Sequence, residues 1–209
     1  MIRQRVRIRF CKAGHLRLIG HRDLVRAWER MLRRCAVSLS MSEGFHPKPR
    51  MSFPSALALG VEGRNEVMEI ELAEPLSAAE LKQRLVREAP AGLSINDVTL
   101  VPEGTGKPQA RVLCYELPVP GSRQAELQQS IATLLASRSH PVQREGAHQP
   151  VDVRSGIEQL DLQHGRLRLR LTVNPQGTVR PNEVLAALGA ADLAADGFQL
   201  QRTDVEVAP

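Results

Sequence analysis

The chain has 209 residues, with 28 Lys/Arg, 23 Asp/Glu and only one Trp, one Tyr and four Phe. So few rings argue against a protein that holds single-stranded nucleic acid mainly by stacking, and three cysteines without a close pair exclude a disulfide framework or a zinc knuckle. Charge is polarised: residues 1–50 carry thirteen Lys/Arg against three Asp/Glu, a balance of +10, and the remainder carries fifteen against twenty, a balance of −5, so the first quarter has the electrostatic footprint expected for a polyanion.

The N-terminal MIRQRVRIRF has the charge of a secretion signal but no apolar stretch after it, and no run is long enough to span a bilayer. A soluble, cytoplasmic protein with no membrane contact is expected. In RQRVRIRF, Arg3, Arg5, Arg7 and Arg9 alternate with Val6, Ile8 and Phe10, which predicts a strand with guanidiniums on one face and apolar side chains on the other. HRDLVRAWERMLRRC follows with Leu24, Val25, Trp28, Met31, Leu32 and Cys35 at helical spacing, and Arg22, Arg26, Arg30 and Arg33 form a second stripe along the same helix.

SEGFHPKPRMSF, residues 42–53, is the stiffest loop: each proline fixes φ, removes a donor and pushes the residue before it out of the helical region. It presents Phe45, His46, Lys48 and Arg50. MSFPSALALGV then predicts a strand, GRN a turn, EVMEIEL a strand, PLSAAELKQRLVREAP a helix and LSINDVTLV a strand. The order is βαββαβ, the ferredoxin-like unit.

The second half repeats that order. ARVLCYELPV is a strand, SRQAELQQSIATLLASR a helix, VDVRSGIEQLDLQ a strand, GRLRLRLTV a strand, RPNEVLAALG a short helix and FQLQRTDVEV the closing strand. The expected architecture is therefore α+β, two tandem ferredoxin-like βαββαβ domains: a basic one at 1–102, a Gly/Pro-rich linker at 103–110 and a second at 111–209.

Lys12, Gly14, Arg17, His21, Asp23, Leu24 and Arg26, then Gly44, Phe45, Pro47, Pro49, Arg50, Ser52 and Phe53, then Ala56, Leu57, Leu59, Gly60 and Glu66 resemble the radical-SAM-linked domain of unknown function. That bacterial family is found fused to radical SAM proteins or as a short separate protein. The likeness continues through Val151–Arg154 and Val179–Pro181. It implies a radical SAM protein as a partner and assigns no activity. The chain departs from the usual Ser-His-Leu-Asp with Gly20-His21-Arg22-Asp23, and from Asn-Pro-His-Pro with His46-Pro47-Lys48-Pro49.

Asp23, His21 and Asp152 are the weak candidates for catalysis, and His46 with Asp23 the one acid/base pair that a folded-over loop would allow. His15 and His21 lack metal-ligand spacing, and there is no cluster-binding cysteine motif, P-loop or GxGxxG, so no metal and no cofactor are expected. The reading that explains most residues is RNA binding. Its contacts are Arg3 to Arg9, Lys12, Arg17, the Arg22–Arg33 stripe, Phe45, His46, Lys48 and Arg50 around one groove, with Arg154 and Arg180 in the second half. A transfer or ribosomal RNA handled beside a radical SAM enzyme is expected. The alternatives are a pseudouridine synthase-like enzyme, resting on fold analogy with Asp23 or Asp152 beside an arginine, and a protein adaptor that docks an acidic surface without touching RNA.

Overall fold

Val6, Ile8 and Phe10 alternate with arginine, and that alternation builds the strand on which the first half is organised. A computed structural model describes residues 4–145, 149–174 and 177–208. The chain divides into two compact units, Met1–Gln109 with Val207–Pro209, and Ala110–Glu206. Each is α+β. Among the described residues no helix is long and apolar enough to cross a membrane.

In the first unit, β1 (Gln4–Lys12) leads through a short 3-10 turn at Gly14–Leu18 into α1 (His21–Arg34), and β2 (Met51–Ser52), β3 (Glu62–Leu72), α2 (Ala78–Glu88) and β4 (Leu93–Leu100) follow. The strands lie in the order β4-β1-β3-β2, every neighbouring pair antiparallel. Val6, Ile8 and Phe10 meet Leu24, Trp28, Met31 and Leu32 of α1 and Leu81 and Leu85 of α2 in one buried core. Both helices therefore cover one face of the sheet. Phe10 and Trp28 pack edge to face with centroids 5.0 Å apart.

Local chemistry places the helix ends. α1 carries Asp23 in its first turn and Arg33 and Arg34 in its last, complementing the helix dipole. It stops where Ala36 takes φ 51 and Val37 N–H bonds back to Leu32 O, a left-handed termination of the kind glycine usually supplies. α2 starts at Ser77, whose hydroxyl accepts from Glu80 N–H at 3.1 Å.

The second unit contains β5 (Ala110–Pro118), α3 (Gly121–Ala136), the short pair β6 (Pro141–Val142) and β7 (Val151–Asp152), β8 (Ile157–Gln163), β9 (Arg166–Thr172), α4 (Pro181–Ala187), α5 (Asp192–Ala195) and β10 (Gln201–Val207). Its sheet runs β10-β5-β9-β8. Leu113, Tyr115 and Leu117 of β5 stand opposite Leu171, Leu169 and Leu167 of β9, and all six are buried. This is the apolar half of the LRLRL alternation.

Three expected elements differ. Of MSFPSALALGV only Met51–Ser52 pairs, because Pro54 has no N–H to give a ladder and the chain turns at Gly60, φ 83. GRN is not a turn but the start of β3, with Gly63 opposite Lys12. A Cβ on Gly63 would lie 2.5 Å from the Glu66 carboxylate, so the missing side chain is what lets the strand carry Glu66 there. VDVRSGIEQLDLQ breaks into β7 and β8, because the Asp152 carboxylate folds the chain by accepting from His140 N–H at 2.7 Å and Arg154 N–H at 3.1 Å. The helical turn α5 had no sequence signal.

Candidate nucleic-acid interface

The arginines of β1 have parity opposite to its apolar residues and occupy the sheet face that carries no helix. They are committed there. Arg7 stands opposite Glu69 and Arg5 opposite Glu71. The Glu69 carboxylate, side chain 1% exposed, takes Arg7 at 2.9 Å and Arg5 at 3.1 Å. Arg5 also donates from Nη2 to Thr105 O and Gly106 O, each at 2.8 Å, pinning the segment that follows β4. Arg9 faces Asp97 across β4 and reaches Asn65 O.

Lys12 shares the parity of Phe10 rather than of the arginines, and it is buried, its ammonium donating to Ile19 O at 2.9 Å. It holds the residue that leads into α1 and is not a surface cation. The half-buried Arg17 bonds to Gly14 O at 3.4 Å. Arg3 lies outside the described residues.

The α1 stripe is different. Arg22, Arg26, Arg30 and Arg33 are all exposed, on the side of the helix away from the buried Leu24, Trp28, Met31 and Leu32. Arg26 approaches Asp23 at 3.5 Å with both side chains more than half exposed, a contact that contributes at most ~1 kcal/mol. Arg22, Arg30 and Arg33 pair with no carboxylate among the described residues. At about 1.5 Å of rise per residue the stripe is roughly 16 Å long. Arg34, next to it, is instead tied to Glu88 through the carboxylate at 3.3 Å and the backbone carbonyl at 2.9 Å.

The strand arginines and the helix arginines thus lie on opposite sides of one layer of core, and the single groove expected to collect both is not formed. Alternation put each set on one face; it could not show that the sheet and the helix present outward in opposite directions.

The proline-rich loop forms a hairpin. Ser42 N–H donates to Lys48 O at 2.8 Å, Lys48 N–H to Ser42 Oγ at 2.9 Å and Arg50 N–H to Ser40 O at 2.8 Å. Ser40 N–H reaches Glu71 O, and Glu71 N–H reaches Arg50 O, fastening the root to the C-terminal end of β3. Arg50 serves the hairpin itself, donating from Nε to Met41 O at 3.1 Å and lying 3.6 Å from Glu71. Phe45, His46 and Lys48 are exposed, Phe45 completely, and Lys48 has no ion partner among the described residues.

Asp23 and His46 do not meet. Asp23 sits on the first turn of α1, beside the Lys12 end of β1, whereas the hairpin is rooted at Leu72, the opposite end of the sheet. His21 packs edge to face on Phe53, centroids 5.2 Å apart.

In the second unit Asp152 serves the backbone: the N–H of His140, and that of Arg154, hold its carboxyl below the usual range against the opposing effect of burial. Arg154 donates from Nε to Leu135 O at 3.1 Å. Arg180 is exposed and caps α4, its N–H bonding to Glu183 at 2.8 Å. Arg144, which no sequence pattern singled out, binds Glu183 with both Nε and Nη2, at 2.6 and 2.8 Å. Arg168 and Arg170 of the second alternating run are matched to Glu116 at 3.2 Å and to Glu206, respectively. Burial pushes the Cys114 thiol up to about 11, so it is protonated at neutral pH and no nucleophile. A polar hollow of about 190 Å³ lies between Asp152, Ser155, Thr172 and Asn174.

A family model described as an uncharacterized protein conserved in bacteria, DUF2344, matches residues 5–181, a stretch that contains α1 and the hairpin. No curated protein matches the chain. Among solved structures, that of an unknown protein from Galdieria sulphuraria is similar at 11% identity, with 100% of each chain covered and a TM-score of 0.32, too low to carry an argument.

Proposed function

The chain belongs to this family of uncharacterized proteins conserved in bacteria, DUF2344, and we propose that it is an RNA-binding protein whose contact surface is the outer face of α1. The observation that carries the reading is the row Arg22, Arg26, Arg30 and Arg33, exposed, in line and almost without internal partners. Most other arginines of the same unit reach a carboxylate, as Arg5 and Arg7 reach Glu69 and Arg34 reaches Glu88. A row kept apart from the counter-charges that its neighbours possess is suited to an external polyanion, because binding phosphates releases condensed counterions.

RNA is preferred to duplex DNA because the described residues form no helix-turn-helix or other DNA-reading motif. The strand order in each unit, with the two long central strands flanked by the closing strand and a third, supports reading both as ferredoxin-like, an architecture that often serves RNA. A radical SAM protein as partner in RNA modification or processing belongs to this proposal through the resemblance of residues 12–66. Asp152 is occupied by backbone donors, which weighs against it as the catalytic carboxylate of the enzymatic alternative.

The test is binding to bulk transfer RNA at two salt concentrations, comparing the wild type with an Arg22→Glu, Arg30→Glu, Arg33→Glu variant whose fold is checked by circular dichroism. The wild type should bind with a log–log salt slope of about −3 for four phosphate contacts. The variant should lose that binding. Absence of binding by the wild type at low salt overturns the proposal and leaves a protein partner for the stripe.

A further inference from the structure

The hairpin at residues 39–50 is built to present the Phe45 ring. Its strands are tied to each other by Ser42–Lys48 and Ser40–Arg50 bonds, and to β3 by Ser40–Glu71, Arg50–Glu71 and the Ser40 hydroxyl on Leu72 O at 3.1 Å. Arg50 braces it from the side. Gly44 turns the tip with φ 122, a conformation that L side chains rarely adopt. Beyond this frame stands Phe45, with no protein atom covering it. An exposed ring on a braced support loses little conformational freedom when it binds, which is the economy aromatic anchors provide.

The surroundings of Phe45 decide what it fits. Its exposed neighbours include the charged Glu43 and Lys48 and the polar His46, and Met41 is the other exposed large apolar side chain of the hairpin. The ring therefore stands in mixed polar surroundings rather than in the broad apolar patch that marks a protein interface. Lys48 beside it is exposed and has no ion partner among the described residues. The hairpin also begins five residues after α1 ends, so its root lies within about 18 Å of Arg34 even if the connection were fully extended. Of the rings on α1, Trp28 faces the core and His21, though exposed, is packed edge to face on Phe53. Phosphate contacts and stacking are therefore divided between two neighbouring elements: the helix for a backbone, the tip for a base.

We propose that the first unit recognises an RNA stem where its pairing ends, with α1 along the phosphates of the stem and Phe45 stacked on an unpaired nucleotide at its loop or terminus. This rests on the RNA-binding reading of α1 and adds the shape of RNA that the site selects. Paired bases are hidden from a side-on ring, whereas splayed bases of loops and ends are what aromatic side chains stack upon.

The experiment measures affinity of the full chain for three RNAs: a fully paired stem, the same stem closed by an unpaired loop carrying 2-aminopurine, and a single strand of the loop sequence. The stem with its loop should bind tightest, and 2-aminopurine fluorescence should be quenched on binding. Phe45→Ala should weaken binding to that RNA roughly five- to a hundredfold, abolish the quenching and leave affinity for the fully paired stem unchanged. Phe45→Trp should restore the preference. Because Phe45 is uncovered, these substitutions remove no internal packing. Arg30→Glu with Arg33→Glu should weaken all three RNAs. Equal affinity for the paired stem and the looped stem, or a preference that survives Phe45→Ala, overturns the inference while leaving α1 as an RNA surface. Failure of all three RNAs to bind overturns both.

Discussion

Arg7 of β1 and Glu69 of β3 stand directly opposite each other, and the guanidinium approaches carboxylate oxygen Oε1 through both Nε and Nη2 at 2.9 Å. The second unit repeats the relationship with the signs exchanged. Glu116 of β5 stands opposite Arg168 of β9, 3.2 Å away, and β5 occupies the place in its sheet that β1 occupies in the other. In both units an alternating arginine run that looks like an external surface is part of an internal charge ladder.

Glu69→Ala should therefore destabilise the protein. It removes the carboxylate that Arg5 and Arg7, each about one-fifth exposed, share. Losing one partner of a buried pair costs about 3–5 kcal/mol, and the partial exposure of the arginines lowers the expectation to ~2–3 kcal/mol. Urea unfolding measures it, and adding Arg7→Ala should recover part of the loss.

Arginines on the two surfaces should behave in opposite ways. Arg5→Ala and Arg7→Ala should lower the unfolding midpoint with little change in RNA affinity. Arg30→Ala and Arg33→Ala, which break no contact among the described residues, should change stability by less than ~0.5 kcal/mol while reducing both affinity and the salt slope. Paired melting and titration of the four single variants separates the roles; equal effects of both sets on affinity would contradict the division.

Trp28 is fully buried against Phe10 and its indole Nε1 has no hydrogen-bond partner among the described residues. Trp28→Ala should cost about 3–5 kcal/mol through the cavity it leaves. Trp28→Phe should cost much less than that, because it keeps an edge-to-face ring and removes a buried donor that gains nothing. Because the chain has a single Trp, circular dichroism is the suitable probe for both variants.

Acid should loosen the second unit through two carboxylates. Asp152 is held below its ordinary 3.8 by the His140 and Arg154 N–H groups. For Glu183, burial acts upward, but Arg144 and the Arg180 N–H outweigh it and hold it below 4.5. A carboxylate depressed in the folded state contributes stability above its unfolded pKa and loses it as pH falls through the folded value. Stability should decline from about pH 5 downward. Asp152→Asn and Arg144→Gln should each flatten that decline while lowering stability at neutral pH. Urea midpoints across the acid range test this, and an unchanged slope in both variants would contradict it.

Much of the local structure was legible in the residues themselves. The Arg/apolar alternation marked β1 and β9, the spacing of Leu24, Trp28, Met31 and Leu32 marked α1, and the uncompensated row Arg22 to Arg33 was visible as a stripe before any fold was known. Period-two and period-3.6 patterns are properties of consecutive residues, so neighbours along the chain suffice to show them. Even the burial of Lys12 was implicit, since it continues the parity of Phe10. Sequence order alone, however, did not show that Glu69 would neutralise Arg5 and Arg7, that Asp152 would break the strand expected over residues 151–163 by catching two N–H groups, or that the hairpin would leave the end of the sheet opposite Asp23. Those outcomes depend on cross-strand register and on which face of a sheet a helix covers. Both are set by contacts between residues tens of positions apart, and they decided which of the arginines remained available to a partner.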